Sequence, residues 1–208
     1  MKRFLSIFAI LLLLSGCQEE ESSDKNENLV ENKTGEYKGE SMFTIDNYTN
    51  TIKNNFELNS DKLVEKLTKI YSLNFYSEVE LLDFSVFVEP TRNELSIIMY
   101  SMDKDANEVF YEGDDSKVFA GSMNVLEDIV YYQESTDQRD KFLEFHEKNE
   151  EEIVIAEQEV VKNWFIDCWQ KANGTESKLP SYLSFHDEYK SYDLKKNNWI
   201  SEDEMWSF

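Results

Sequence analysis

The chain has 208 residues, with 43 Asp and Glu against 21 Lys and Arg, for a formal net charge of −22. This excess of carboxylates argues against nucleic acid, whose binders need a basic stripe to displace counterions. It also argues against electrostatic adhesion to anionic lipid, which polybasic segments supply, and it leaves room for a basic protein partner.

The N-terminal segment sets the expected compartment. Lys2 and Arg3 precede an apolar run from Phe4 to Leu14 that only Ser6 interrupts, and Leu14-Ser15-Gly16-Cys17 closes it. A membrane-spanning helix needs roughly 20 apolar residues, and this run is too short. A charged start, a short apolar stretch and small residues at the cut site read instead as a secretory signal over 1–16. The four residues Leu14-Ser15-Gly16-Cys17 resemble the bacterial lipobox, an aliphatic residue and two small residues before an acceptor cysteine. The resemblance implies a diacylglyceryl group on the Cys17 sulfur, cleavage before Cys17, and a mature protein held on the extracytoplasmic side of the cell membrane. Two acyl chains give stable anchoring, at about 0.8 kcal/mol per buried methylene, where a single chain is marginal.

Residues 17–41 hold the lipidated cysteine and an acidic, Asn- and Ser-rich stretch whose few apolar side chains are Leu29, Val30 and Tyr37. So little apolar surface cannot offset the entropy of ordering, and the stretch reads as a flexible tether. Residues 42–208 then read as one α+β domain. With Cys17 lipidated, Cys168 is the remaining thiol and has no partner for a disulfide, so an aromatic-rich core must hold the domain.

Along this domain, Tyr48, Ile52 and Phe56 keep an i, i+4 step that suggests a helical turn. Ser60-Asp61 can cap a helix carrying Leu63, Val64, Leu67, Ile70 and Tyr71. Leu81–Val88 reads as a strand ended by Pro90. Leu95–Met102 and Glu108–Tyr111 read as two more, joined by a hairpin over Asp103–Asn107. Lys117–Ala120 and Ile129–Tyr132 are weaker strand candidates, the second equally compatible with helix. Ser135 or Thr136 can cap a helix with Phe142 and Phe145. Ile153, Ala156, Val160, Val161, Trp164, Phe165, Cys168, Trp169 and Ala172 define a long amphipathic helix. Gly174 stands where a left-handed C′ residue belongs. Strands followed by helices predict an α+β fold, an antiparallel sheet packed on one face by helices.

No catalytic or metal constellation stands out. Asp103-x-Asp105-x-Asn107 opens like a calcium loop, but Glu108 occupies the turn-glycine position and Asp114 the bidentate-glutamate position. A polar turn is the plainer reading, and a cation there stays an open alternative. His146, His186 and Cys168 lie too far apart in sequence for a short zinc spacing. His186-Asp187 could orient a general base, but no nucleophile motif accompanies it. Cys168 reads as a buried thiol within an apolar stripe. Glu150, Glu151 and Glu152, with Glu157 and Glu159, read as a solvated helix face that could also meet a basic partner. Trp164 and Trp169 read as core. Trp199 and Trp206, with the terminal Glu202–Phe208, read as packing back on the domain in preference to a docking tail. The stretch Trp164–Trp199 (WFIDCWQKANG…LPSYLSFHDEYKSYDLKKNNW) resembles small α+β immunity proteins of bacterial toxin systems, which implies sequestration of a toxin without naming any functional residue.

The expected function is therefore a membrane-anchored, non-catalytic binding or interaction module, without cofactor or metal. An immunity-type lipoprotein and an enzyme with dispersed residues such as His186 and Asp187 are the alternatives.

Overall fold

Thr44 has extended backbone geometry and its hydroxyl accepts from the Asn47 amide, which starts helix α1 (Ile45–Glu57). Here a side-chain oxygen satisfies one of the amides that every helix start leaves open. The computed structural model to which this helix belongs describes residues 43–186 and 188–207. The signal segment, the lipobox with Cys17 and the tether lie outside the described residues. By its internal contacts the chain separates into two units, and Ser41–Phe208 is the one that contains every element below.

Helix α2 (Ser60–Tyr71) follows, then the two-residue strand β1 (Asn74–Phe75). Strands β2 (Leu81–Glu89) and β3 (Glu94–Met102) form an antiparallel hairpin in which Phe84 faces Met99 and Val86 faces Ile97. Strands β4 (Val118–Phe119) and β5 (Ser122–Val130) come next, β4 pairing in parallel with β1. Helices α3 (Arg139–Lys148) and α4 (Glu150–Lys171) precede β6 (Ser181–Phe185), β7 (Lys190–Asp193), β8 (Asn198–Ser201) and the short α5 (Glu202–Met205). The six-stranded sheet has the order β5-β3-β2-β6-β7-β8, antiparallel except for the parallel pair β2/β6.

Alternation along the strands determines the layers. Leu82, Phe84 and Val86 of β2, Ile97 and Met99 of β3, and Leu183 and Phe185 of β6 share one buried cluster with the apolar stripes of α1, α2, α3 and α4. The ring of Phe84 meets those of Phe165 and Trp169 at 5.3 and 5.4 Å between centroids. On the opposite face Leu81, Tyr182 and Met205 form a second cluster, packed by Met102, Ile200 and Trp206. This explains why Leu81 and Leu82 are both buried in an otherwise alternating strand: each serves a different face. Among the described residues both clusters fall between Tyr48 and Trp206, within the compact unit Ser41–Phe208, and a unit with its own hydrophobic core can in principle fold alone.

The fold is α+β, with helices against a mostly antiparallel sheet. Chain order departs from strands first and helices after: two helices lead, and three strands follow α4. Those late strands are only four or five residues long, which leaves little periodicity to read. Glu108–Tyr111 is no strand. Only Glu108 forms a bridge, with Met102, and the true hairpin turns at Pro90–Asn93, where Asn93 takes a left-handed φ of 50°. The segment Ile129–Tyr132 is strand at its start, because β5 begins earlier, at Ser122.

Three helix ends also differ. Asn59 precedes α2 without a side-chain cap, and the Ser60 hydroxyl instead accepts from the Trp164 indole at 2.9 Å. Helix α3 starts at Arg139, after Gln138, and the Ser135 carbonyl accepts from the Gln138 amide in the preceding turn. The left-handed residue after α4 is Asn173, with φ 61°, and not Gly174.

Candidate binding cavity

Helix α1 presents Tyr48, Ile52 and Phe56 on one stripe, and α4 presents Val154, Glu157 and Val161 on another. Side chains three and four positions apart share a helix face, and the two helices pack directly on each other. Beneath them β6 ends at Phe185, paired in parallel with Val86 of β2, which runs on to Glu89. Between these elements lies a cavity of about 250 Å³ lined by Ile52, Phe56, Val86, Phe185, Tyr131 and Val161, among others. Phe87, Val88, Pro90 and Val154 continue its apolar wall, and Gln158, His186 and Glu188 supply polar groups. Gln158 donates to Glu188 at 3.0 Å.

The carboxyl of Glu157 is the polar group held between the helices. Tyr48 donates its phenolic hydrogen to Glu157 Oε1. Burial raises the pKa of Glu157 above the ordinary carboxylate range, with the Tyr48 hydrogen bond opposing that shift. Burial, and then the negative charge of Glu157, push the Tyr48 hydroxyl far above its usual range; Tyr131 shifts in the same direction for the same reasons. A carboxylate taken out of water loses solvation that one hydrogen bond only partly restores. Aromatic packing holds this wall in place. Phe56 stacks on Trp164 at 4.8 Å, and Tyr48 meets Tyr132 edge-on at 4.7 Å.

Glu157 is a correction to the sequence reading, which assigned it to a solvated face with the other acids. Glu150, Glu151 and Glu152 are exposed, whereas Glu157 is half-buried, because the helix rotates it toward α1. Its position four residues before Val161 and three after Val154 was the available signal. A charge on the apolar stripe of an otherwise regular helix is unusual.

A second polar cluster lies on the other sheet face. Asp83 on β2 accepts from Ser85 at 3.0 Å and from Ser184 on β6 at 2.8 Å, and the two serine oxygens stand 2.9 Å apart. Two hydroxyl hydrogens cannot fill three such contacts, so with Asp83 ionised one of the three lacks a hydrogen, which a proton on the carboxyl would supply. Burial raises the Asp83 pKa in the same sense, with the two serine bonds opposing.

The other sequence candidates are dispersed. Asp103 accepts from the amides of Asp105 and Asn107 through Oδ1 and from the Asn107 side chain, so its carboxylate is engaged by its own turn. Cys168 is fully buried, its thiol 3.9 Å from the Ser60 carbonyl and its pKa raised by burial. His146 lies on α3 beside Phe142, and His186 is exposed with its ring 4.6 Å from that of Phe87. Asp187 lies outside the described residues. Among the described residues no group of three or more His, Cys, Asp or Glu is placed to hold a metal ion, and no helix is long and apolar enough to cross a membrane. Trp164 and Trp169 are core. Trp199 packs against Tyr192 at 5.3 Å, under the Lys190 ammonium at 4.8 Å, and Trp206 packs on the second cluster.

Comparison with protein families, with characterised proteins and with solved structures finds no match to this chain.

Proposed function

We propose that the protein is an extracytoplasmic binding module, anchored in the cell membrane by lipid on Cys17, that takes a small, mainly apolar molecule into the cavity between α1, α4 and the ends of β2 and β6. The observation that carries the binding role is the cavity itself. Ligand sites are mostly apolar hollows with a few convergent polar groups, and this one pairs an aromatic and aliphatic wall with the Glu157 carboxyl. The anchor rests on the charged, apolar and small-residue order of Lys2 to Cys17.

Each half of the proposal has its own experiment. Val154 is 41% exposed, so Val154→Trp can add bulk at the cavity from a position that tolerates it. Binding of a benzene-sized apolar probe, followed by titration calorimetry, is expected for the parent and lost in the variant; equal binding by both would refute the cavity. For the anchor, Cys17→Ala should move the protein out of the membrane fraction of cells. A variant that still sediments with membranes would sink that half.

A further inference from the structure

The charges that line this cavity narrow the ligand class, and this inference rests on the binding role proposed above. Glu157 and Glu188 supply the lining's carboxylates, and no Lys or Arg lines the cavity among the described residues. The larger hollows elsewhere differ. One of about 630 Å³ mixes Lys141 and Lys148 with Asp46 and Glu144, and another of about 390 Å³ mixes Lys53 and Lys171 with Glu57 and Asp167. The apolar cavity instead combines the half-buried Glu157 carboxyl with a lining free of Lys and Arg among the described residues.

A carboxylate can accept at about four positions, and the hydrogen bond described for Glu157 is the one from Tyr48. Buried charges call for a paired partner. An ammonium group would provide both a counter-charge and further hydrogen bonds, which are among the stronger kinds when both partners are charged. The aromatic side chains of Phe56, Phe87, Tyr131 and Phe185 border the same space and supply an apolar wall for the rest of the ligand. A carboxylate or phosphate ligand would instead share the cavity with the half-buried carboxyl of Glu157, and no Lys or Arg of the lining would offset it. Size sets the remaining limit. An apolar cavity of about 150 Å³ takes up benzene, so about 250 Å³ holds one ring with a short arm. The net charge of −22 also raises the local concentration of cations around the molecule.

From these features we propose that the cavity binds a small apolar primary ammonium ion, a single ring or short branched chain, with Glu157 as its counter-ion.

Three probes of one shape test this: phenethylammonium, phenethyl alcohol and phenylpropanoate. Each is titrated by calorimetry at neutral pH against the full chain in lipid nanodiscs and, in parallel, against Ser41–Phe208. The expected order is ammonium about tenfold tighter than alcohol, equivalent to ~1.4 kcal/mol, with no detectable binding of the acid. Glu157→Gln keeps the shape and an acceptor for Tyr48. It should reduce ammonium affinity about tenfold, to near the level of the alcohol. Equal affinity of the parent for ammonium and alcohol overturns the ligand class while the cavity role survives, and so does an unaltered ammonium affinity in Glu157→Gln. Absence of binding by all three probes overturns both. Should Glu157→Gln fail to fold, the ranking of the three probes on the parent decides alone.

Discussion

Gly174→Ala separates two explanations for a glycine at the end of a long helix. If Gly174 were the left-handed C′ residue, alanine would suffer from backbone strain, and asparagine would serve nearly as well. The backbone there is not left-handed; Asn173 holds that conformation. Gly174 is required by space. A Cβ on it would lie 2.3 Å from Trp169 Cδ2, 2.4 Å from Trp169 Cε2 and 2.4 Å from Tyr71 Oη. Carbon atoms in contact prefer about 3.5–4.0 Å, so the overlap exceeds one ångström against a ring. Trp169 cannot step aside easily, because it is 2% exposed and wedged against Phe84 and Phe165. Overpacking of this kind costs about 1–3 kcal/mol, occasionally more, and the depth of this overlap puts Gly174→Ala near the upper end. For a domain of this size that is a fall in Tm of roughly 5–10 °C. Urea unfolding of Ser41–Phe208, followed by tryptophan fluorescence, measures it. Gly174→Asn should cost more than Gly174→Ala, since it is bulkier in the same space. Asn173→Gly should be close to neutral, with strain relieved at the left-handed position offset by about 0.5–1 kcal/mol of glycine backbone entropy. Gly174→Asn at parental stability, or Gly174→Ala costing less than about 0.5 kcal/mol, would refute the steric account.

The remaining predictions concern hydrogen bonds that the tertiary fold creates. Ser60→Ala should cost about 1–3 kcal/mol by urea unfolding, because it leaves the indole N–H of the nearly buried Trp164 without its acceptor. Asn59→Ala should cost less, since the Asn59 side chain makes no capping bond to α2 and donates instead to the Asn55 carbonyl in the last turn of α1; the reverse order would restore an ordinary helix cap as the role of this segment. Asp83→Asn tests the serine ring. The folded-state pKa of Asp83 is raised, so the native state binds this proton more tightly than the unfolded chain. Stability from this group is therefore present below the ordinary aspartate value of about 3.9 and is lost as pH rises through the folded value. Asp83→Asn removes that loss, so its melting temperature relative to the parent should climb from pH ~4 toward neutrality. A pH-independent difference would mean that Asp83 titrates like a solvated carboxylate.

Local chemistry made several elements legible before any tertiary contact was known. Tyr48, Ile52 and Phe56 at steps of four, the α2 stripe from Leu63 to Tyr71, and the run from Ile153 to Ala172 each announce a buried helix face. The β-formers of Leu81–Val88 and Leu95–Met102 announce the central strands. The late strands were hidden because a four-residue strand such as Asn198–Ser201 shows too few alternations to separate from loop. The candidate cavity was hidden for a related reason. Glu157 belongs by composition to an acidic helix, and only the approach of α1 turns it from a solvated charge into a half-buried one bonded to Tyr48, 109 positions away.

The sequence by itself determined what nearest neighbours along the chain can decide: the periodicity of the main helices and strands, the α+β class, and the charge balance with the partners it disfavours. The rest came from tertiary contacts: that β2 and β6 pair in parallel, that Ser60 serves Trp164 instead of its own helix, that Gly174 is demanded by an indole ring, and that Glu157 lines an apolar hollow. The physical reason is range. Propensity and periodicity act over a few residues, whereas burial, steric exclusion and the cost of removing a carboxylate from water depend on which distant segments meet.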